Sequence, residues 1–399
     1  MSNPPKSAGS WLSRNVIFLG LVSLLTDTAS EAIIPLLPVF LLGMGLTIGA
    51  SAMALGWIEG VAEATAAVLK LFAGRWADRI GRNRPFVVFG YTVSSLVRPL
   101  IGLATAPWHI VIARATDRVG KGLRSSPRDA LIANSVKPEQ RGAAFSLHRA
   151  MDHAGAVLGP LLAAAYLAWI SEDLRLLFLL TLIPGGIVVL LVLFGVKEQP
   201  KPPDAATEKP AAVPARHPLL RFLFPLGLFT LGNSSDIFLL LKAGGEHVNF
   251  ATFPLLWVGL HVVKMLASVP GGKLSDGWGR RRTIAVGWVL YACIYAALAF
   301  AENRYLIWGL LGAYGVYYGL TEGAEKALIS EIAPKKKLGS SFGWYYLTLG
   351  LLALAASVLF GTIWEFVSSR AAFLTGAGLA ASAVILLGLT WRAPTAAPD

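Results

Sequence analysis

Four pairs of ionisable residues stand four positions apart inside long apolar runs: Asp27/Glu31, Glu59/Glu63, His148/Asp152 and Arg149/His153. Residues at i and i+4 share a helix face, so each pair forms one polar stripe. Ionisable side chains in such surroundings are expensive and point to function. A carboxylate in a partly dry site binds a proton more readily, because burial disfavours its charged form. Asp27, Glu31, Glu59 and Glu63 are therefore the candidates for reversible protonation. Their own runs place no base beside them, and Lys70 stands at the far end of the second run. Asp117 and Asp152 have cationic neighbours and are expected in ion pairs. His148 and His153 suit either titration near neutral pH or plain hydrogen bonding. Lys264 suits either a substrate carboxylate or phosphate, or a pairing with Asp236 or an acid of the tenth run.

The elements that must position these groups are hydrophobic. Apolar residues make up 55% of the 399 and charged residues 15%, and the mean hydropathy is +0.60. Twelve membrane spans are expected at about 15–42, 50–72, 86–104, 108–120, 142–169, 174–195, 218–242, 250–271, 283–301, 304–326, 340–364 and 370–391. The stretch 196–217 is rich in Pro, Ala, Lys and Glu and reads as a flexible linker. It separates a six-helix bundle over 1–195 from another over 218–399. The fold class is thus an all-α integral membrane protein of two pseudo-symmetric bundles. The first run lacks a cleavage site and is too long for a signal-peptide core, so it is read as a retained span.

Lys and Arg collect in alternate connections: Arg75 to Arg84, Lys121 to Arg141, Lys197 to Arg216, Lys273 to Arg282 and Lys335 to Lys337. The 1–2 and 3–4 loops contain none. All the basic loops lie on one side if both termini are cytoplasmic. The net charge of +12 is then a topology signal. No basic soluble module exists to bind nucleic acid. The single cysteine, Cys293, excludes an intrachain disulfide. The location expected is the plasma (inner) membrane of a bacterial-type cell, the partners are a small solute, protons and the bilayer, and the chain is expected to be a monomer.

A charged loop occurs twice. Gly74-Arg75-Trp76-Ala77-Asp78-Arg79-Ile80-Gly81-Arg82 is matched by Gly272-Lys273-Leu274-Ser275-Asp276-Gly277-Trp278-Gly279-Arg280, with the two aspartates 198 positions apart (276 − 78). Ala130-Leu131-Ile132 and Gly142-Ala143-Ala144-Phe145 are matched by Ala327-Leu328-Ile329 and Gly339-Ser340-Ser341-Phe342, at an offset of 197 (327 − 130). Repetition at this period indicates a duplicated membrane protein.

The first loop resembles the 2–3 loop signature of the major facilitator superfamily, Gly-x-x-x-Asp-Arg-x-Gly-Arg. The second keeps Gly272, Asp276, Gly279 and Arg280, as the 8–9 loop does in that family. The resemblance extends over nearly the whole chain and implies two bundles rocking about a midplane cavity. It also implies a gate at the loops, with Asp78 engaging a helix end or an Arg, Gly81 permitting the turn, and Arg79 and Arg82 making charge-assisted contacts. Gly155, Gly159 and Pro160 resemble the span-five motif of proton-coupled drug antiporters, although Leu161, Leu162 and Ala163 replace its trailing glycines. Arg114 to Gly122 resembles the family's Arg-rich motif in another register, with Arg114 and Arg118 both open as the motif arginine.

In that family spans three, six, nine and twelve are outer supports. Here spans six, nine and twelve hold no charge away from their ends, and span three holds only Arg98. The cavity candidates are Arg114, Asp117, Arg118, His148, Arg149, Asp152, His153, Asp236, His261, Lys264, Glu322, Glu325 and Lys326. Trp344, Tyr345 and Tyr346 are expected to offer π-faces to a solute. No Gly-rich loop with Lys-Ser/Thr is present for ATP, no metal-ligand spacing is evident, and no cofactor is expected. The function expected is proton-coupled export of a small organic solute or drug. The alternative is proton-coupled uptake of an organic anion, with a lipid flippase behind both. An enzyme is not expected.

Overall fold

An apolar run crossing a bilayer satisfies its backbone internally only as a helix or a closed barrel, and here the choice is helix throughout. The computed structural model describes residues 11–45, 48–199, 217–244 and 253–390, without the side chains of 48–62, 64, 217, 244, 253, 254 and 335. The helices in chain order are α1 (Arg14–Glu31), α2 (Leu37–Leu42), α3 (Ile48–Ile80), α4 (Arg84–Val97), α5 (Pro107–Asn134), α6 (Arg141–Trp169), α7 (Leu174–Leu180) and α8 (Leu182–Leu190). They continue as α9 (His217–Gly232), α10 (Asp236–Gly244), α11 (Phe253–Trp278), α12 (Arg280–Phe300), α13 (Arg304–Ile332), α14 (Leu338–Phe366) and α15 (Ser369–Thr390). No strand occurs among the described residues. Of the expected linker, residues 200–216 lie outside them, and so does the side chain of Glu59 on α3.

Local chemistry sets several boundaries. Pro35 and Pro38 cannot donate to a preceding carbonyl, and between α1 and α2 the first run passes through a short 3-10 turn at Ile34–Leu36. Asn303 caps α13 by accepting from the amides of Tyr305 at 2.8 Å and Leu306 at 3.4 Å. Asp173 caps α7 in the same way.

Nine of the described segments are long and apolar enough to cross a membrane. The helices α5 and α13 have ample length, 28 and 29 residues, but are too polar to stand among these nine. The expected fourth span, 108–120, reads as short, with a helix able to run on past the bilayer, and α5 does run on to Asn134. Lys121, Arg124, Arg128 and Asp129, assigned to a loop by their polarity, belong to the helix. Arg124, Arg128 and Asp129 are buried there. Partners on other helices make that burial tolerable, and hydropathy along one strand of sequence cannot register them.

The most extensive packing joins α6 to α1 and α11, α11 to α13, and α3 to α14 and α5. The contacts α6–α11 and α3–α14 connect sequence from opposite ends of the chain. Both depend on glycine for close approach. A Cβ on Gly74 would collide with the carbonyl of Gly339, and one on Gly272 would come within 2.5 Å of the carbonyl oxygen of Gly142. These are the leading glycines of the repeated loops, and the glycines they meet, Gly339 and Gly142, are themselves repeat equivalents. On the line between the two contacts, Phe145 meets its repeat equivalent Phe342 edge to face, with centroids 5.7 Å apart.

Gly74→Val or Gly272→Val should wedge these helices apart at a cost of about 1–3 kcal/mol, as overpacking does. In a Cys293→Ser background, a thiol placed at buried Ser330 should then react faster with a polar maleimide. An unchanged rate in both variants would show that the glycines are not needed for the approach.

Candidate functional site

At one end of the molecule two carboxylates cap helices from the other end of the chain. Asp78, near the end of α3, accepts from the amides of Gly339 at 2.9 Å and Ser340 at 2.6 Å, and from the Ser340 hydroxyl at 2.5 Å. Asp276, near the end of α11, accepts from the amides of Gly142 and Ala143, both at 2.8 Å. Each carboxylate satisfies orphan amides in the first turn of a helix, where the helix dipole also favours negative charge. Gly81 and Gly279 turn the chain beyond these aspartates at φ of 75° and 102°, a region open to glycine. Arg280 reaches Glu331 and the carbonyl of Pro138. Arg141 reaches the carbonyls of Ala133 at 3.0 Å and Ser330 at 2.9 Å. Arg79 and Arg82 are exposed.

About two turns deeper lies a buried charged layer. Asp129 of α5 pairs with Lys326 of α13 at 3.1 Å and with its neighbour Arg128 at 2.9 Å, and it accepts from the Tyr346 hydroxyl of α14 at 2.5 Å. Asp129 and Lys326 are equivalent positions of the two repeats, at the 197 offset (326 − 129). Like Phe145 and Phe342, they meet across the relation that generated them, as equivalent residues do in a two-fold interface. His148 is fully buried, 3.6 Å from Asp152.

The next layer also joins helices from both ends of the chain. Arg149 and Asp152 of α6 pair at 2.7 Å, and Arg149 forms a two-pronged contact with Glu322 of α13, one prong at 2.9 Å. Ser23 of α1 donates to Asp152. His153 places Nε2 3.1 Å from Glu322, and its Nδ1 lies 3.2 Å from Nδ1 of His261 on α11. Arg149, Asp152, His153, His261 and Glu322 are thus one network.

The remaining candidates fall into separate groups. Lys264 pairs with Asp236 at 2.6 Å, and Asp236 also accepts from Tyr314 at 2.7 Å and Tyr318 at 3.2 Å. The Lys264 ammonium lies 3.7 Å from the Tyr318 ring centroid. Asp117 pairs with Arg98 at 2.8 Å and approaches Arg114 at 3.7 Å. Glu325 accepts from Tyr345 at 3.0 Å and from the Trp288 indole at 3.3 Å. Trp344 points elsewhere from Tyr345 and Tyr346. It is exposed beneath Arg75, whose guanidinium lies 5.2 Å from its ring centroid.

The acids expected to lack bases differ. Glu63 is met by Arg118 at 3.1 Å and Lys121 at 3.6 Å, both from α5. Asp27 and Glu31 form no ion pair among the described residues, and both lie against α6. A Cβ on Gly155 would fall 2.8 Å from that of Asp27, and one on Gly159 would fall 2.8 Å from that of Glu31. The small residues of the fifth run therefore seat the acid stripe of the first. Sequence reasoning passed over Asp129 and Arg128, which it placed in a loop, and Lys70, which it placed at a helix end. The 197 offset linking Asp129 to Lys326 was the available signal.

A sequence profile of the Major Facilitator Superfamily matches residues 18–260 and 226–399. An uncharacterized MFS-type transporter of Methanocaldococcus jannaschii is 30% identical over 383 residues, 94% of each chain. The multidrug resistance protein MdtH of Photorhabdus laumondii is 35% identical over 117 residues, 29% of each chain. The structure of the human organic anion transporter MFSD10 superposes with a TM-score of 0.75 at 16% identity, covering 96% of this chain and 100% of that one. That superposition speaks for the fold, whereas the profile and the end-to-end relative speak for descent. This multi-pass membrane chain therefore belongs to the major facilitator superfamily, a family of transporters rather than enzymes.

Proposed function

We propose that this transporter works by alternating access between two six-helix bundles, with twelve spans and both termini cytoplasmic, in the plasma (inner) membrane of a bacterial-type cell, acting as a monomer. In this reading the Asp78 and Asp276 ends are cytoplasmic, and the structure is the state closed on that side. The observation that carries the reading is the closure itself. Two reciprocal carboxylate caps and two layers of ion pairs between the halves join one end through polar contacts. Charge-assisted hydrogen bonds contribute about 1.5–3 kcal/mol each, which is enough to hold a state and little enough for a ligand to shift it.

The transport we infer is export of a small organic solute in exchange for protons. Asp27 and Glu31 are the proposed proton carriers. They form no ion pair among the described residues, and they lie on the Gly155/Gly159 contact between α1 and α6, so a change in their charge acts where these helices meet. Glu63, held between Arg118 and Lys121, is the weaker candidate. The partial likeness to a multidrug resistance protein supports the outward direction. Proton-coupled uptake of an organic anion is the second reading, favoured by the buried cations of α3 and α5.

Everted vesicles with an acidified interior separate the two. Addition of a transported solute should discharge the pH gradient for an antiporter, read as dequenching of a trapped acridine dye. A symporter should give no dequenching. Asp27→Asn and Glu31→Gln should each lower the initial rate at least tenfold, and native rates in both would remove them as proton carriers.

The two caps are unequal, since Asp78 takes three hydrogen bonds and Asp276 two. Asp78→Asn should speed amide hydrogen exchange at Gly339 and Ser340 more than Asp276→Asn speeds it at Gly142 and Ala143. The reverse order would overturn the view that the first repeat carries the stronger latch.

A further inference from the structure

Lys70 lies on α3 and is only 8% exposed. A buried cation normally finds an anion or a full set of acceptors, and its neighbours do. Arg98 has Asp117, Arg128 and Lys326 share Asp129, and Lys264 has Asp236. Arg124 has no carboxylate but reaches the Ser94 hydroxyl and the carbonyl of Gly90, over the ring of Tyr91. Lys70 forms no ion pair among the described residues. Its visible partner is the ring of Tyr346, with the ammonium 4.9 Å from the centroid.

Among the charges that act on Lys70 are Glu63 on its own helix and Lys121, Arg118 and Arg128 on α5, and the Lys326 ammonium shares the Tyr346 ring at 5.5 Å. Glu63 is the one acid among them. It already serves Arg118 at 3.1 Å and Lys121 at 3.6 Å. Glu63 stands two turns from Lys70 on the same face of α3. The side chains of Glu63 and Lys121 are 45% and 40% exposed, although both stand within long helices packed against others. Both side chains therefore reach accessible space, and Lys70 is buried farther along α3, against the Tyr346 ring whose hydroxyl donates to Asp129.

We propose that Lys70, held against the ring of Tyr346, forms with Lys121 the subsite for an anionic group, a carboxylate or a phosphate, on the transported solute. The proposal rests on the transporter reading and narrows its substrate to molecules carrying negative charge. The anion supplies Lys70 with the partner that the protein withholds, and Glu63 competes with it for Lys121. The cost of keeping Lys70 unpaired in the empty state is recovered when the solute arrives, so the site is selective for charge.

Thermal unfolding of the purified protein, followed by tryptophan fluorescence, tests this with four probes: benzoate, phenyl phosphate, benzamide and tetraphenylphosphonium. A ligand of the native state raises the midpoint. Benzoate or phenyl phosphate should do so and the other two should not, and the better of the two identifies the group. Lys70→Met should weaken the apparent affinity for that anion at least tenfold, Lys70→Arg should restore it, and Glu63→Gln should strengthen it several-fold. Without ligand, Lys70→Met should unfold no lower than the native protein, because it removes a buried unpaired charge.

Stabilisation by benzamide or tetraphenylphosphonium equal to that by the anions would overturn the subsite. So would stabilisation by none of the four, or anion binding unchanged in Lys70→Met. The vesicle assay separates the two failures. Gradient discharge by tetraphenylphosphonium and by no anion sinks the subsite and leaves the exporter, whereas anion binding with discharge by no solute sinks the exporter and leaves the subsite to the uptake reading.

Discussion

A charge buried in a bilayer needs a partner, and in this chain most partners lie on another helix. Arg149 needs Glu322, Lys326 needs Asp129, and Asp117 needs Arg98. Because hydrocarbon offers no water to solvate a stray ion, these pairings constrain which helices can be neighbours and at what depth. They also make the arrangement reversible. An apolar interface gains little by separating, but an ion pair facing a cavity can exchange its partner for water or for a charged solute. The same constraint thus organises the packing and permits motion.

The duplication gives this constraint its geometry. Positions equivalent in the two repeats meet at the junction of the halves, as Phe145 with Phe342 and Asp129 with Lys326. Identical charges there would repel, so the repeats have diverged to opposite charges at the point where both must be buried. The capping aspartates also join the two halves, but each faces a helix N-terminus and not its own copy, and there the repeats have stayed alike. Divergence elsewhere has made the halves unequal. Where α6 has His148 and Arg149, α14 has Tyr345 and Tyr346, and Tyr346 serves as hydrogen-bond donor to Asp129 and as π-face to Lys70.

Much of the fold was legible in the sequence. Long apolar runs separated by basic loops identify membrane helices, and Gly74, Asp78, Gly272 and Asp276 identify the superfamily. The site was legible by helix and face but not by partner. Asp27 and Glu63 look alike in sequence, each an acid four positions from another acid. In the structure Glu63 lies between two cations of α5 while Asp27 packs on Gly155 of α6. Asp129 and Lys70 were misplaced for one reason: a polar stretch was read as the end of a span. The helix α5 continues through that stretch because its charges are satisfied from α4, α13 and α14.

The sequence by itself determined the helices, the duplication, the family and the faces on which charges stand, because these follow from hydropathy, spacing along a helix and a repeated motif. Only the tertiary structure decided which charges neutralise one another, which helices the two aspartates cap, and which buried cation has no anion among the described residues. Those depend on distances between helices remote in sequence, and in a low dielectric a few ångströms separate a paired ion from an unpaired one.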